Sequence, residues 1–313
     1  MAEETTPGGP GSLRARWQAL SPNHRGALWM VAAALGFTLN GALVKTLGAG
    51  GLPPMQIALA RAFFALAALS PFLLRAGPGV LATRHPMVHL IRALSGSAAM
   101  VCGFYALVLL PLADVTALSF TTPLFTILLA VAILGERVRW RRWSATAVGF
   151  LGVLIMVRPG GSAIEPGALL ALGMALGIAI ATVMVKRLPP DESKVAMLFW
   201  FCISSVLLTA VPAALVWRPP SFEEWLLLAA IGTLGVAAQS LIVRAYVIGE
   251  ASFVAPFDYS KLLLAVLIGL LLFDELPDLW TLAGALVIVG STLYIARREA
   301  RLDRPPTPRE APG

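Results

Sequence analysis

The chain has 313 residues, of which 58% are hydrophobic and 13% charged, and its mean hydropathy is +0.81. Soluble domains carry roughly 25% charged residues, so this composition excludes one and describes an all-α integral membrane protein with room for about ten crossings of roughly 20 residues each. The net charge of +7 does not by itself argue for a nucleic-acid partner, because lysine and arginine mark the cytoplasmic side of membrane proteins.

In chain order, residues 1–26 are polar and rich in Gly and Pro and are expected to form a disordered cytoplasmic tail. Ten apolar runs follow, at 27–47, 54–74, 88–109, 112–134, 143–157, 167–186, 194–216, 224–246, 250–273 and 278–296. The first run is too long for the apolar region of a signal peptide and is expected to remain as a span. Residues 299–313 read as a second cytoplasmic tail, rich in Pro and Arg. Cys102 and Cys202 both lie inside apolar runs without a metal-ligating neighbour, where cysteine acts as a small hydrophobe. Neither a metal nor another cofactor is expected.

Ten spans put both termini on one side. With that side cytoplasmic, the 24 lysines and arginines all fall inside except Lys45, Arg158 and Arg218, which lie outside, and Arg61 and Lys261, which lie within spans. The reverse orientation would violate the positive-inside rule in almost every loop. The plasma (inner) membrane is therefore the expected location.

Two corners show how the spans are organised. "ILGERVRWRRW" (133–143) and "LLFDELPDLW" (271–280) each follow an apolar run and carry a glutamate, Glu136 and Glu275, 139 residues apart. The first holds Arg137, Arg139, Arg141 and Arg142, and the second holds no arginine. "GALVKTL" and "TVMVKRL", ending at Leu47 and Leu188, echo one another at a similar interval. The chain thus reads as a five-helix unit written twice, over 27–158 and 159–298. Because five is odd, the second copy enters the membrane inverted, which makes the arginine-rich corner cytoplasmic and its acidic twin external.

With these features the sequence resembles the EamA-type transporters of the drug/metabolite transporter superfamily. The resemblance rests above all on "FTTPLFTILLAVAILGERVRWRRWSATAVGFLGVLIMVRP" (120–159). Together with "HPMVHLIRALSGSAAMVCGFYAL" (85–107) and "APFDYSKLLLAVLIGLLLFDELPDLWTLAGALVIV" (255–289), it is similar to a subgroup that includes S-adenosylmethionine uptake transporters. The resemblance implies ten helices in two inverted repeats, alternating access around a central cavity, and peripheral packing of helices five and ten.

The candidate substrate-binding residues are those that are costly in a bilayer. Arg61 sits well inside the second run, where a charge costs about 2.5 to 3.5 kcal/mol on insertion scales. It either pairs structurally or faces the cavity to meet a carboxylate or phosphate. Asp258 and Lys261 are three apart in the ninth run and share a helix face. Their expected ion pair is either structural or opened by a proton or a cationic substrate, with Tyr259 beside it as an aromatic face. Asn40 and Gln239 are uncharged amides at membrane depth, suited to interhelical bonds or ligand contact. Phe37, Tyr105 and Trp200 read first as packing.

Other residues read as structural. Asp114 and Glu250 are expected as helix caps, Lys45 and Lys186 as terminus caps, and Glu136 and Glu275 as loop corners. Gly173 and Gly177 form a close-approach motif, within the monomer or at a homodimer contact. Pro123 and Pro256 are expected to kink their helices.

An embedded enzyme would need an acidic or histidine-rich cluster, and the three histidines, His24, His85 and His89, lie in or beside cytoplasmic connections. A non-transporting subunit would have little reason to retain Arg61, Asp258 and Lys261. No phosphate-binding Gly-rich loop is present, so the energy for transport is expected from an ion gradient, the membrane potential or exchange against another solute. The partners are the bilayer, a small-molecule substrate and such a coupling ion or exchanged solute.

Overall fold

The computed structural model describes residues 20–77, 79, 83–136, 140–157, 165–189 and 192–302, and these are helical throughout apart from turns and short connections. The helices are α1 (Pro22–Ala49), α2 (Pro54–Ala76), α3 (Pro86–Leu109), α4 (Leu112–Ser119), α5 (Thr122–Leu134), α6 (Trp140–Val157), α7 (Pro166–Val185), α8 (Lys194–Leu215), α9 (Phe222–Ile248), α10 (Ala251–Val254), α11 (Ser260–Phe273) and α12 (Leu279–Leu302). A 3₁₀ turn, Ala255–Tyr259, joins α10 to α11. Eight stretches are long and apolar enough to cross a membrane, and Trp143–Val157 and Leu279–Tyr294 are shorter apolar helices. Arg137 and Arg139 of the basic corner lie outside the described residues, as do 1–19 and 303–313 of the expected tails.

Local signals start these helices. Proline occupies the first turn of α1, α2, α3, α5 and α7, where its missing N–H costs nothing. Ser221 and Glu224 form a reciprocal capping box at α9. The runs at 112–134 and 250–273 are not single helices. The first breaks at Phe120–Thr121, just before Pro123, and the second passes through the 3₁₀ turn containing Pro256.

The two halves repeat in detail at the corners. Gly135 (φ +68°) and Asp274 (φ +55°) end α5 and α11 in the left-handed region, 139 residues apart. Gly adopts that conformation freely and Asp tolerates it. The next amides, of Glu136 and Glu275, fold back onto the carbonyls of Ala130 and Gly269, again 139 apart. The cap is what turns each glutamate back toward the bundle.

Packing joins one half to the other. α1 lies along α9, α3 along α7, α2 against α8, and α6 against α12. Small residues permit the approach, as expected where lipid removes the hydrophobic drive between helices. A Cβ on Gly177 would stand 2.8 Å from the Ser95 carbonyl oxygen, so the Gly173/Gly177 motif packs α7 on α3 within the monomer. α6 and α12 meet at Gly152 and Gly284, where a Cβ on Gly152 would lie 2.9 Å from the Gly284 carbonyl.

Candidate functional site

Helix directions define two ends of the bundle. At one, Lys45 meets the ends of α3 and α11, and Gln56 and Arg218 exchange two hydrogen bonds, from Gln56 Nε2 to the Arg218 carbonyl (2.7 Å) and from the Arg218 amide to Gln56 Oε1 (3.1 Å). At the other, Lys186 meets Glu136, and His89 meets Glu192 at 2.9 Å. We refer to these as the Lys45 end and the Lys186 end.

Between the helices lies a cavity of about 760 Å³, within the range of sites that take small molecules. It is lined by α1 to α4 from the first half and by α7, α8, α9 and α11 from the second. Its lining reaches Arg92, Val185, Leu198 and Val243, close to the Lys186 end, and stops at Leu107 and Leu112 beneath Lys45. The charged residues among the described lining are Arg61, Arg92 and Lys261, all cations.

Arg61 is held by packing. Its Nη1 donates to Met100 Sδ, and its guanidinium carbon lies 5.8 Å from the Phe104 ring centroid. Among the described residues no carboxylate lies within ion-pair distance of it. A cation without a counter-ion at this depth is offset by water or by a ligand's negative charge. Arg92, on the first turns of α3, donates from Nη1 to the Met197 carbonyl at 2.9 Å, and its buried Nε has no hydrogen-bond partner.

The other candidates divide between the cavity and the packing around it. Lys261 pairs with Asp258 at 2.5 Å, as the spacing implies, and its ammonium lies 5.1 Å from the Phe37 ring centroid. Lys261 and Phe37 line the cavity, but Asp258 and Tyr259 do not. Tyr259 stacks on Phe120, and its hydroxyl donates to Thr292 Oγ1 at 2.6 Å. Asn40 lines the cavity and donates from Nδ2 to the Ile231 carbonyl at 2.7 Å, an interhelical bond between the halves. Gln239 also lines the cavity. Tyr105 and Trp200 are absent from the lining.

Several roles differ from the sequence expectation. Asp114 makes no capping bond at α4, where Pro111 holds the cap position and the Leu112 amide donates instead to Glu275 Oε2 at 3.1 Å. Lys45 does cap a helix, but that helix is α3, through bonds to the Leu110 (2.6 Å) and Leu107 (3.4 Å) carbonyls. Sequence reasoning counted Arg92 among the basic residues of the cytoplasmic side and missed it as a cavity residue, although it lies within both the 88–109 run and the 85–107 motif. It also missed the His89–Glu192 contact, in which His89 is buried. Glu192 lies outside the spans, and its hydrogen bond with His89 holds its carboxyl below the usual range.

Comparison with known proteins places this geometry in context. A family model described as the EamA-like transporter family matches residues 24–158 and again 165–297. An S-adenosylmethionine uptake transporter from Rickettsia prowazekii is 32% identical over 283 residues, covering 90% of this chain and 96% of that protein. A riboflavin transporter from Rhizobium johnstonii is 34% identical, covering 90% and 94%. A pseudopaline exporter from Pseudomonas aeruginosa is 33% identical, covering 87% and 96%. One solved structure superposes with a TM-score of 0.56 at 23% identity, over 87% of this chain and 99% of its own, a likeness of fold.

Proposed function

Since the chain belongs to the EamA-like transporter family, we propose that it is a secondary carrier that moves a small metabolite bearing a carboxylate or phosphate by alternating access through the central cavity. The observation that carries this reading is Arg61: a cation at membrane depth, facing a cavity built by both halves and lined by no described acid. Such a group meets an anion with charge-assisted, bidentate hydrogen bonds. Arg92 stands in the same cavity nearer the Lys186 end, where it would receive the anion on its way in or out.

The same reading takes the two shorter apolar helices as spans, making ten, with five in each inverted repeat and both termini on the cytoplasmic side of an inner membrane. The distribution of lysine and arginine supports that orientation. S-adenosylmethionine is the first candidate, since it carries a carboxylate and the relatives include its uptake transporters. Export of amino acids, other metabolites or drugs is the second reading, favoured by the exporter among the relatives. Asn40, Gln239 and Lys261 complete the polar lining in this account. The Asp258–Lys261 pair is the element that a proton or a substrate group would open.

Counterflow in proteoliposomes tests the proposal. Vesicles loaded with unlabelled S-adenosylmethionine are expected to accumulate the labelled compound transiently, and empty vesicles are not. Absence of accumulation for this and for a panel of anionic metabolites, in folded protein, would overturn the carrier reading.

A further inference from the structure

The internal repeat relates two ion pairs at opposite ends of the bundle. Lys45 at the end of α1 pairs with Glu275 after α11 at 2.6 Å, and Lys186 after α7 pairs with Glu136 after α5 at 3.2 Å. Each joins a lysine from one half to the glutamate corner of the other. The lysines close the matching Val-Lys-x-Leu segments, and the glutamates follow the matching left-handed caps.

The two pairs are in different states. The Lys45 and Glu275 side chains are 11% and 21% exposed, while those of Lys186 and Glu136 are 49% and 36% exposed. Lys45 also donates to the Leu107 and Leu110 carbonyls, and Glu275 also accepts from the Leu112 amide. That cluster ties α1, the α3–α4 connection and the α11–α12 corner into one plug, directly over the point where the cavity stops at Leu107 and Leu112. At the end the cavity reaches, the pair is the exposed and longer one.

From this asymmetry the geometry points to a pair of alternating latches: Lys45–Glu275 closes one face while Lys186–Glu136 is loosened, and the carrier reverses by exchanging the two states. These four are positioning residues, setting which face is open without touching substrate, and the inference rests on the carrier reading above. In the reversed state the repeat places Lys186 on the carbonyls of Tyr246 and Gly249, the counterparts of Leu107 and Leu110 at an interval of 139. An ion pair formed in one state and weakened in the other biases the equilibrium by its difference between the two.

Face-resolved thiol labelling tests this in the full-length protein in vesicles. Cys102 and Cys202 are replaced by alanine, and Thr116→Cys is introduced as the reporter, on the cavity wall one turn from Leu112. A membrane-impermeant maleimide is supplied at the Lys45 face. Glu275→Gln is expected to raise the labelling rate roughly tenfold, within the 5- to 150-fold range of typical coupling, and Glu136→Gln to lower it by a similar factor. Effects of the same sign from Glu275→Gln and Glu136→Gln, or no effect from either, would overturn the latches. Glu136 is exposed enough that its substitution leaves folding intact, so it carries the test if Glu275→Gln fails to fold. Prolonged labelling of the parent from each face reads alternation independently. If it labels from both faces and the variants change nothing, the latches fail alone. If no variant ever labels from the Lys45 face, the carrier reading fails with them.

Discussion

Phe120 and Tyr259 touch ring to ring, their centroids 4.8 Å apart and their planes at 45°, and they lie 139 residues apart in the sequence. They are the same position in the two halves of the chain, brought together where the broken helices α4–α5 and α10–α11 turn. Tyr259 therefore serves the contact between halves, with its hydroxyl bonded to Thr292. Tyr259→Phe is expected to cost about 1 kcal/mol of stability, the net worth of a typical hydrogen bond, and to leave transport within about twofold. Tyr259→Ala is expected to lower the melting temperature further. A melting series on the purified variants, set beside counterflow, checks both.

Asp258 and Lys261 hold one another at 2.5 Å. The pair is partly exposed, with Lys261 at 21% and Asp258 at 32%, so removing one partner is expected to cost less than the roughly 3 to 5 kcal/mol of a fully buried pair, and replacing both with neutral groups is often nearly neutral. Asp258→Asn and Lys261→Met are each expected to destabilise, and the double variant to recover most of the loss. If the pair is the coupling element, the double variant recovers stability and not transport. Recovery of both would reduce the pair to packing.

Much of this arrangement is legible in the sequence. The all-helical membrane architecture, the matching glutamate corners and the Asp258–Lys261 pair follow from composition, interval and helical spacing. The rotation of each helix about its axis does not. Whether Tyr259 meets a substrate or Phe120, and whether Asp258 or Lys261 faces the cavity, depends on which neighbours press on α11, and apolar residues on every side of a membrane helix leave no amphipathic stripe to read. For the same reason Lys45 reads as a cap of its own helix, while its actual partners, at Leu107, Leu110 and Glu275, come from distant segments.

Glu192 offers a pH-dependent contact between α3 and the start of α8. Its carboxyl is held below the ordinary glutamate range by the bond with His89, so the bonded form contributes stability above the unfolded pKa. That contribution is lost as pH falls through the lowered folded value. Melting temperature is expected to drop on acidification into that window, and Glu192→Gln to remove this component. An identical acid profile in the variant would assign the loss elsewhere.

Arg61→Met removes a cation from the cavity wall while preserving much of the side-chain volume. Hydrogen bonds to charged groups are worth about 1.5 to 3 kcal/mol, so the apparent affinity for an anionic substrate is expected to fall by about 10- to 150-fold. Expression is expected to hold, because no described acid is left stranded. Arg61→Lys is expected to recover part of the affinity, since it restores the charge without the two-pronged geometry. Concentration-dependent uptake by the three proteins checks the order.

The most direct test of an anion-receiving cavity works whichever metabolite bearing a carboxylate or phosphate is the substrate. The thermal stabilisation of the purified protein is measured against pairs of metabolites that differ in one anionic group: S-adenosylmethionine and its decarboxylated form, riboflavin and its 5′-phosphate, amino acids and their amides. The account predicts that stabilisation follows the anionic member of a pair and disappears in Arg61→Met. Equal stabilisation by members without the anionic group, or stabilisation that survives in Arg61→Met, would contradict it.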